Sequence, residues 1–351
     1  MTNPSPATAD VPENAVPPLV RAYSGERPDR LPVWFMRQAG RSLPEYRAAR
    51  QGVGMLESCL RPELAAEITL QPVRRHGVDA AIFFSDIVVP LKLAGVDVEI
   101  VSGLGPVVAE PVRTRADVDR LVQHRPGDHD AITEAVHLTV AELGATPLIG
   151  FAGAPFTLAA YLVEGRPSRD HLAARTMMHA DPEAWRLLMR WTADITGAFL
   201  RAQVLAGARA AQLFDSWAGA LSLADYTGHA APFSARALAQ VHELGVPVVH
   251  FGTGTAELLG AMRDVGADVI GVDYRLPLDE AAARLGGTTT LQGNIDPALL
   301  AAPWEVLEAH VRAVVEAGRA APAHVVNLGH GVPPSTDPGV LTRVVELVHQ
   351  L

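Results

Sequence analysis

Arg37 and Arg41 stand four residues apart in the stretch WFMRQAGR (34–41), where an apolar run breaks at a glycine. Arginine is the side chain suited to gripping a carboxylate through two parallel hydrogen bonds. Residues at this spacing also share one face of a helix, so the pair alone reads equally well as helix surface. Its setting tips the balance: Arg37 closes the apolar run and Gly40 permits close backbone approach, both features of a ligand-facing loop. The arrangement favours an anion site.

Other residues able to do chemistry fall in comparable places. Asp86 ends FFSD (83–86) and suits either a helix N-cap or an acceptor for ligand N–H groups that also offsets cationic charge. Ser216, in FDSWAG (214–219), fits a cap better than a nucleophile, because no G-x-S-x-G surrounds it. Tyr161 falls early in a helical pattern and reads as core, its hydroxyl satisfied by backbone. His330 lies between Gly329 and Gly331, which leaves the imidazole uncrowded and able to donate to a carboxylate or titrate near neutrality. GTGTAELLG (252–260) lacks the lysine of a P-loop and the spacing of a dinucleotide-binding turn; it reads as a helix cap. There is no HExxH, no clustered Cys and His and no EF-hand pattern, so no metal is expected.

Such residues need a scaffold. Eight short apolar runs alternate with longer helical patterns: 33–37, 80–86, 147–153, 210–216, 247–254, 269–274, 290–295 and 324–330. They are continuous rather than alternating in polarity, as expected of parallel strands covered on both faces. Helices are expected over 181–205, 231–243, 256–265 and 304–317. Eight strand–helix units predict an α/β fold, a (β/α)8 TIM barrel; an open doubly wound sheet is the competing arrangement. The stretch 96–112 reads as a small β excursion inserted in the barrel. In such barrels the site forms at the C-terminal ends of the strands, where Arg37, Asp86, Gly153, Asp215, Ser216, His250, Asp273, Asn294 and His330 all fall.

Composition narrows the function classes. Of 351 residues, 48% are hydrophobic, enough for a large core, and the formal charge of −10 opposes binding to nucleic acid or an anionic membrane. Any anionic ligand must therefore meet a local concentration of positive charge. Cys59 is the only cysteine, which rules out an internal disulfide and agrees with a cytoplasmic setting. Residues 1–15 read as a flexible leader and 16–351 as one domain, with no linker splitting them. The uncharged segment 145–163 is broken by Pro147, Gly150, Gly153 and Pro155, so it reads as strand, loop and helix start rather than a membrane span.

With the strand ends in view, the chain resembles the uroporphyrinogen decarboxylase family. PVWFMRQAGR (32–41) and GFAGAPFTLAAYLVEG (150–165) are similar to its two long signatures, and FFSDI, FDSWAG, LQGNIDP and NLGHG follow in order. Tyr274 stands where the family commonly places tryptophan, and the chain leaves the usual pattern after Gly165. The resemblance implies a cofactor-free carboxy-lyase that acts on uroporphyrinogen III, as a homodimer. By motif match it implies substrate contacts from Arg37, Gln38, Ala39, Gly40, Arg41, Asp86, Tyr161, Ser216 and His330, with Asp86 and Arg37 in catalytic roles. The alternatives are a corrinoid-linked methyltransferase of the same barrel superfamily, which needs zinc held by Cys and His, and a non-catalytic tetrapyrrole carrier.

Overall fold

Runs such as LIGFAG and VVHFG offer no polar face to water, and each folds as a strand buried along its whole length. The computed structural model describes residues 16–351, so the expected leader lies outside them. The strands are β1 (Ala81–Ile82), β2 (Val98–Val101), β3 (Gly105–Val108), β4 (Leu148–Gly153), β5 (Ala210–Asp215), β6 (Val248–Gly252), β7 (Val269–Gly271), β8 (Thr290–Ile295) and β9 (His324–Leu328). The β excursion is the antiparallel pair β2–β3. The other seven form one parallel, curled sheet in the order β1-β4-β5-β6-β7-β8-β9. That order never reverses, so the sheet has no switch point and the doubly wound alternative is set aside.

The first apolar run departs from expectation. Of residues 33–37 only Val33 pairs as a strand would, in a parallel bridge to Val326 of β9. The Trp34 N–H donates to the Val326 carbonyl (3.2 Å), and the Val33 carbonyl accepts from Asp79 N–H (2.9 Å), two residues before β1. The run ends there because side chains capture its next amides. Phe35 N–H donates to Gln38 Oε1 and Met36 N–H to Asn327 Oδ1. Arg37 then takes φ of +61°, which turns the chain out of extended geometry. β1 is short for a similar reason, since Phe84 N–H donates to Thr69 Oγ1 on a packed helix.

Polar side chains cross the interior of the curled sheet. Trp34 Nε1 donates to Tyr23 Oη, Tyr23 donates to Gln292 Oε1 on β8, and Gln292 Nε2 donates to Gln212 Oε1 on β5. A buried network of this kind holds only when nearly every member is partnered, so it fixes where these strands stand. The long helix Pro182–Leu205 begins at Asp181, whose carboxylate accepts from Ala184 N–H (3.0 Å). The helix expected over 256–265 is shorter, Leu259–Asp264, because a turn from Thr255 to Leu258 precedes it. Segment 145–163 resolves into β4 and nearly all of the helix Pro155–Glu164. Among the described residues no helix is long and apolar enough to cross a membrane.

Candidate active site

Each candidate follows the C-terminal end of a strand or the Val33 bridge, the side on which α/β sheets carry their ligands. Arg37 and Arg41 lie on the turn beyond the bridge, and both are exposed. Neither guanidinium makes an ion pair or hydrogen bond with any described residue. Most other arginines of the chain are committed, as Arg75 is to Glu45 and Arg236 to Asp194. Arg37 holds its left-handed backbone because its neighbours over-determine it. Gln38 is fully buried, with Oε1 accepting from Phe35 N–H and Nε2 donating to the Ala80 carbonyl (3.0 Å each). A Cβ on Gly40 would stand 2.8 Å from the Arg37 carbonyl, so glycine is needed for the turn to close. The side chain of Gln38 is therefore spent on holding the turn that carries Arg37 and Ala39.

Two glycines beside His330 have a reason different from leaving the imidazole uncrowded. A Cβ on Gly331 would lie 2.4 Å from Arg37 Cδ, and one on Gly329 would lie 2.2 Å from the Tyr274 amide nitrogen. The His330 loop is thus clasped between the stem of Arg37 and the backbone after β7. His330 is exposed, and its pKa is lowered by burial of its base and by the charges of Arg37 and Arg275, with Asp273 opposing. Its imidazole is therefore neutral at pH 7.

Asp86 keeps part of its surface open although protein atoms crowd it on nearly every side. Burial pushes its carboxyl up, while the Val88 N–H (3.1 Å to Oδ1) and the Arg37 charge pull it down. It does not cap the next helix, whose N-cap is Val88; it closes a local turn just before it. Tyr161 is buried on the helix Pro155–Glu164 and feels the same two charges, Asp86 raising its pKa and Arg37 lowering it, beneath the larger effect of burial. Its hydroxyl has no hydrogen-bond partner among the described residues, contrary to the expected backbone contact. Arg37, Asp86, Tyr161 and His330 thus share one electrostatic field.

Ser216 joins the group through its neighbour. The Trp217 ring centroid lies 3.8 Å from that of Tyr161, and the His171 ring stacks on it at 4.3 Å. The Ser216 carbonyl accepts from Thr253 Oγ1 (2.8 Å), and its hydroxyl caps no helix; Ser222 caps the one that follows. The remaining strand-end residues serve the scaffold. Asp215 accepts from Thr157, Asn294 donates to the carbonyls of Asp273 and Leu276, and His250 is fully buried on β6. The turn at 252–260 offers no phosphate cradle, since the Gly254 amide donates to Asp273. Cys59 is buried near Asp86, and burial with that charge holds its thiol well above the ordinary range, so it is inert. Trp217 and Arg275 were legible in FDSWAG and GVDYR but drew no assignment.

The chain does bring metal-ligating side chains together, His179, Asp225 and His229, although no ligand-spaced motif announces them. Asp225 and His229 are one turn apart on a helix, and His179 arrives from another helix much earlier in the chain.

Arg37 and Arg41 are thus exposed and without an ion pair among the described residues, and the Arg37 charge reaches the crowded Asp86 carboxyl. The sequence profile described as uroporphyrinogen decarboxylase (URO-D) matches residues 15–351. The uroporphyrinogen decarboxylase of Arthrobacter sp. (strain FB24) is 72% identical over 334 residues, covering 95% of this chain and 97% of its own. That of Leifsonia xyli subsp. xyli (strain CTCB07) is 67% identical over 352 residues, covering 94% and 93%. The chain belongs to the uroporphyrinogen decarboxylase family. Among solved structures, a methyltransferase from Methanosarcina mazei superposes with a TM-score of 0.78 over 95% of this chain and 97% of its own. At 19% identity the likeness is one of fold.

Proposed function

We propose that the chain removes CO2 from the acetate side chains of uroporphyrinogen III, giving coproporphyrinogen III. The observation that carries this reading is the pair of uncommitted guanidiniums, Arg37 and Arg41, on one turn whose Arg37 charge reaches the half-buried Asp86, in a protein of net charge −10. An octacarboxylate macrocycle with four inward N–H groups complements that distribution of charge. Arg37 and Arg41 pair with its carboxylates, Ala39 and Gly40 let it approach the turn, and Tyr161, Ser216 and His330 orient further carboxylates.

The chemistry supplies its own electron sink. Protonation of a pyrrole ring carbon makes the ring cationic; the bond to CO2 then breaks, and its electron pair returns to the ring. Protonation of the resulting methylene gives the methyl group, and loss of the proton first placed on the ring carbon restores the neutral pyrrole, so one proton is consumed for each CO2 released. Asp86 accepts the pyrrole N–H bonds and offsets the positive charge, a preorganised electrostatic role that needs no resident cofactor. Arg37 is too weak an acid to give up its own proton readily, and a water it positions is the proton source.

The same reading takes residues 16–351 as one catalytic domain closed as an eight-stave barrel, with the Val33 segment as the eighth stave. It is supported by the Val33 pairings to β9 and Asp79 and by the side chains that bridge the interior. It also takes the protein as a cytoplasmic homodimer, as the family resemblance implies; sedimentation at micromolar concentration tests the dimer.

Incubating the purified chain with uroporphyrinogen III under anaerobic conditions should yield the hepta-, hexa- and pentacarboxylates in turn and then coproporphyrinogen III. Tight binding of the macrocycle without loss of CO2 would instead support the carrier reading.

A further inference from the structure

Two helices that follow β4 and β5 in the chain meet at a cluster the decarboxylation does not use. His179 lies near the end of the helix Leu172–Ala180, and Asp225 and His229 lie on the helix Leu223–His229. Four residues apart, the last two share a face. His179 Nε2 is 3.2 Å from Asp225 Oδ1. The imidazoles of His179 and His229 have centroids 5.5 Å apart and planes inclined at 78°. One ligand atom from each of the three residues falls within 4.8 Å of the others.

A surface ion pair between His179 and Asp225 would account for two of these residues but not for the second imidazole. An ion would account for all three. Zinc binds imidazole nitrogen and carboxylate oxygen at about 2.0–2.2 Å, so neighbouring donors on a tetrahedral ion stand about 3.4 Å apart. The contact between His179 and Asp225 already has that separation. Two imidazoles on a tetrahedral ion place their ring centres about 5 Å apart, close to the spacing found here. The widest donor pair needs to close by only about 1.4 Å for such a shell. His179 is free to supply that movement, because its side chain is 58% exposed. His229 is held by its backbone carbonyl, which accepts from Trp185 Nε1 (3.1 Å), so its ring remains available.

We propose that His179, Asp225 and His229 bind a divalent transition-metal ion of the zinc type, with water completing its shell. Two nitrogen donors and one carboxylate favour such an ion over calcium or magnesium, which take oxygen donors. The ion ties the connection after β4 to the connection after β5, the two segments that carry Tyr161 and Ser216. Its role is to brace them, at a distance in the chain from the reacting groups.

The test uses the untagged, metal-stripped full chain titrated with zinc chloride in a calorimeter, with thermal melts in parallel. Wild type should take up one ion per chain at this site and melt at a higher temperature with zinc than without. His179→Ala and His229→Ala should each weaken binding by at least about tenfold and lose the zinc-dependent rise in melting temperature. His179→Ala should melt like wild type without zinc, because the ring it removes is exposed; it decides the case even if His229→Ala folds poorly. His137→Ala, an exposed histidine on another helix, should bind as wild type does. The proposal is overturned if wild type takes up no zinc, or if it and His179→Ala bind zinc alike.

Discussion

Gly331 and Arg37 are paired by subtraction: the arginine stem occupies the space a Cβ on the glycine would need, 2.4 Å from Cδ. The obstructed atom belongs to a flexible side chain, so the fold can absorb an added methyl while the guanidinium cannot keep its place. Gly331→Ala should therefore melt within a few degrees of wild type and lose at least about tenfold in kcat/KM, as small displacements of positioning groups do. Unchanged turnover would show that the placement of Arg37 is not critical.

Replacing Arg37 itself separates charge from shape. Arg37→Lys keeps a cation but not the planar fork, and most of the decarboxylation rate should go with it. The left-handed backbone adds a second readout. A non-glycine residue there carries a cost of about 1–2 kcal/mol, and a β-branched one suffers more. Arg37→Gly should thus be inactive yet nearly as stable as wild type, whereas Arg37→Val should be inactive and less stable. Equal melting temperatures for the two would argue against strain at this turn.

Asp86 is the most sharply testable position. Asp86→Asn preserves the turn through Val88 and removes the charge. If that charge stabilises the cationic intermediate, about 3–4 kcal/mol is lost, or roughly a hundredfold or more in rate. Asp86→Glu keeps the charge with imperfect placement and should retain more activity than Asn. A fully active Asn variant would leave Asp86 with only its turn.

Stability should move the other way. Folding raises the proton affinity of Asp86, so stability is fully present below the ordinary aspartate value and is lost as pH rises through the higher folded one. Above its raised folded value the wild-type carboxyl carries a crowded charge that Asn lacks. Asp86→Asn should then melt at or above wild type at neutral pH, and the difference should close as the pH falls towards about 4. Thermal melts across that range decide it.

The coupling between Arg37 and His330 can be read directly. The Arg37 charge helps hold the imidazole below its ordinary range, after the larger effect of burial. In Arg37→Gln, His330 should titrate higher than in wild type by NMR. An unmoved titration would separate the two residues electrostatically.

Much of this was legible in the sequence because position along a parallel strand is itself information. β8 matches its apolar run at both ends, and Asp86, Ser216 and His330 all fall just past strands. What escaped reading were contacts that join distant residues. The run 33–37 looked like a strand because its side chains are apolar, but Gln38 and Asn327 claim its amides. Trp217 drew no reading from the sequence, yet the rings of Tyr161 and His171 both pack against it. The glycines around His330 were noticed for the space they leave, when their use is to admit Arg37 and Tyr274.

The pairing of Trp34 with Val326 also sets an order of events during synthesis. Those partners are 292 positions apart, and translation adds about 5–20 residues per second, so the arginine turn emerges roughly 15–60 s before its β9 neighbour exists. Through that interval the amide of Met36 also lacks its acceptor on Asn327, and Arg37 lacks the glycine it rests against. The arginine proposed to meet the substrate is among the first residues made and among the last to be set, so on that proposal a nascent chain has no competent site until β9 has left the ribosome.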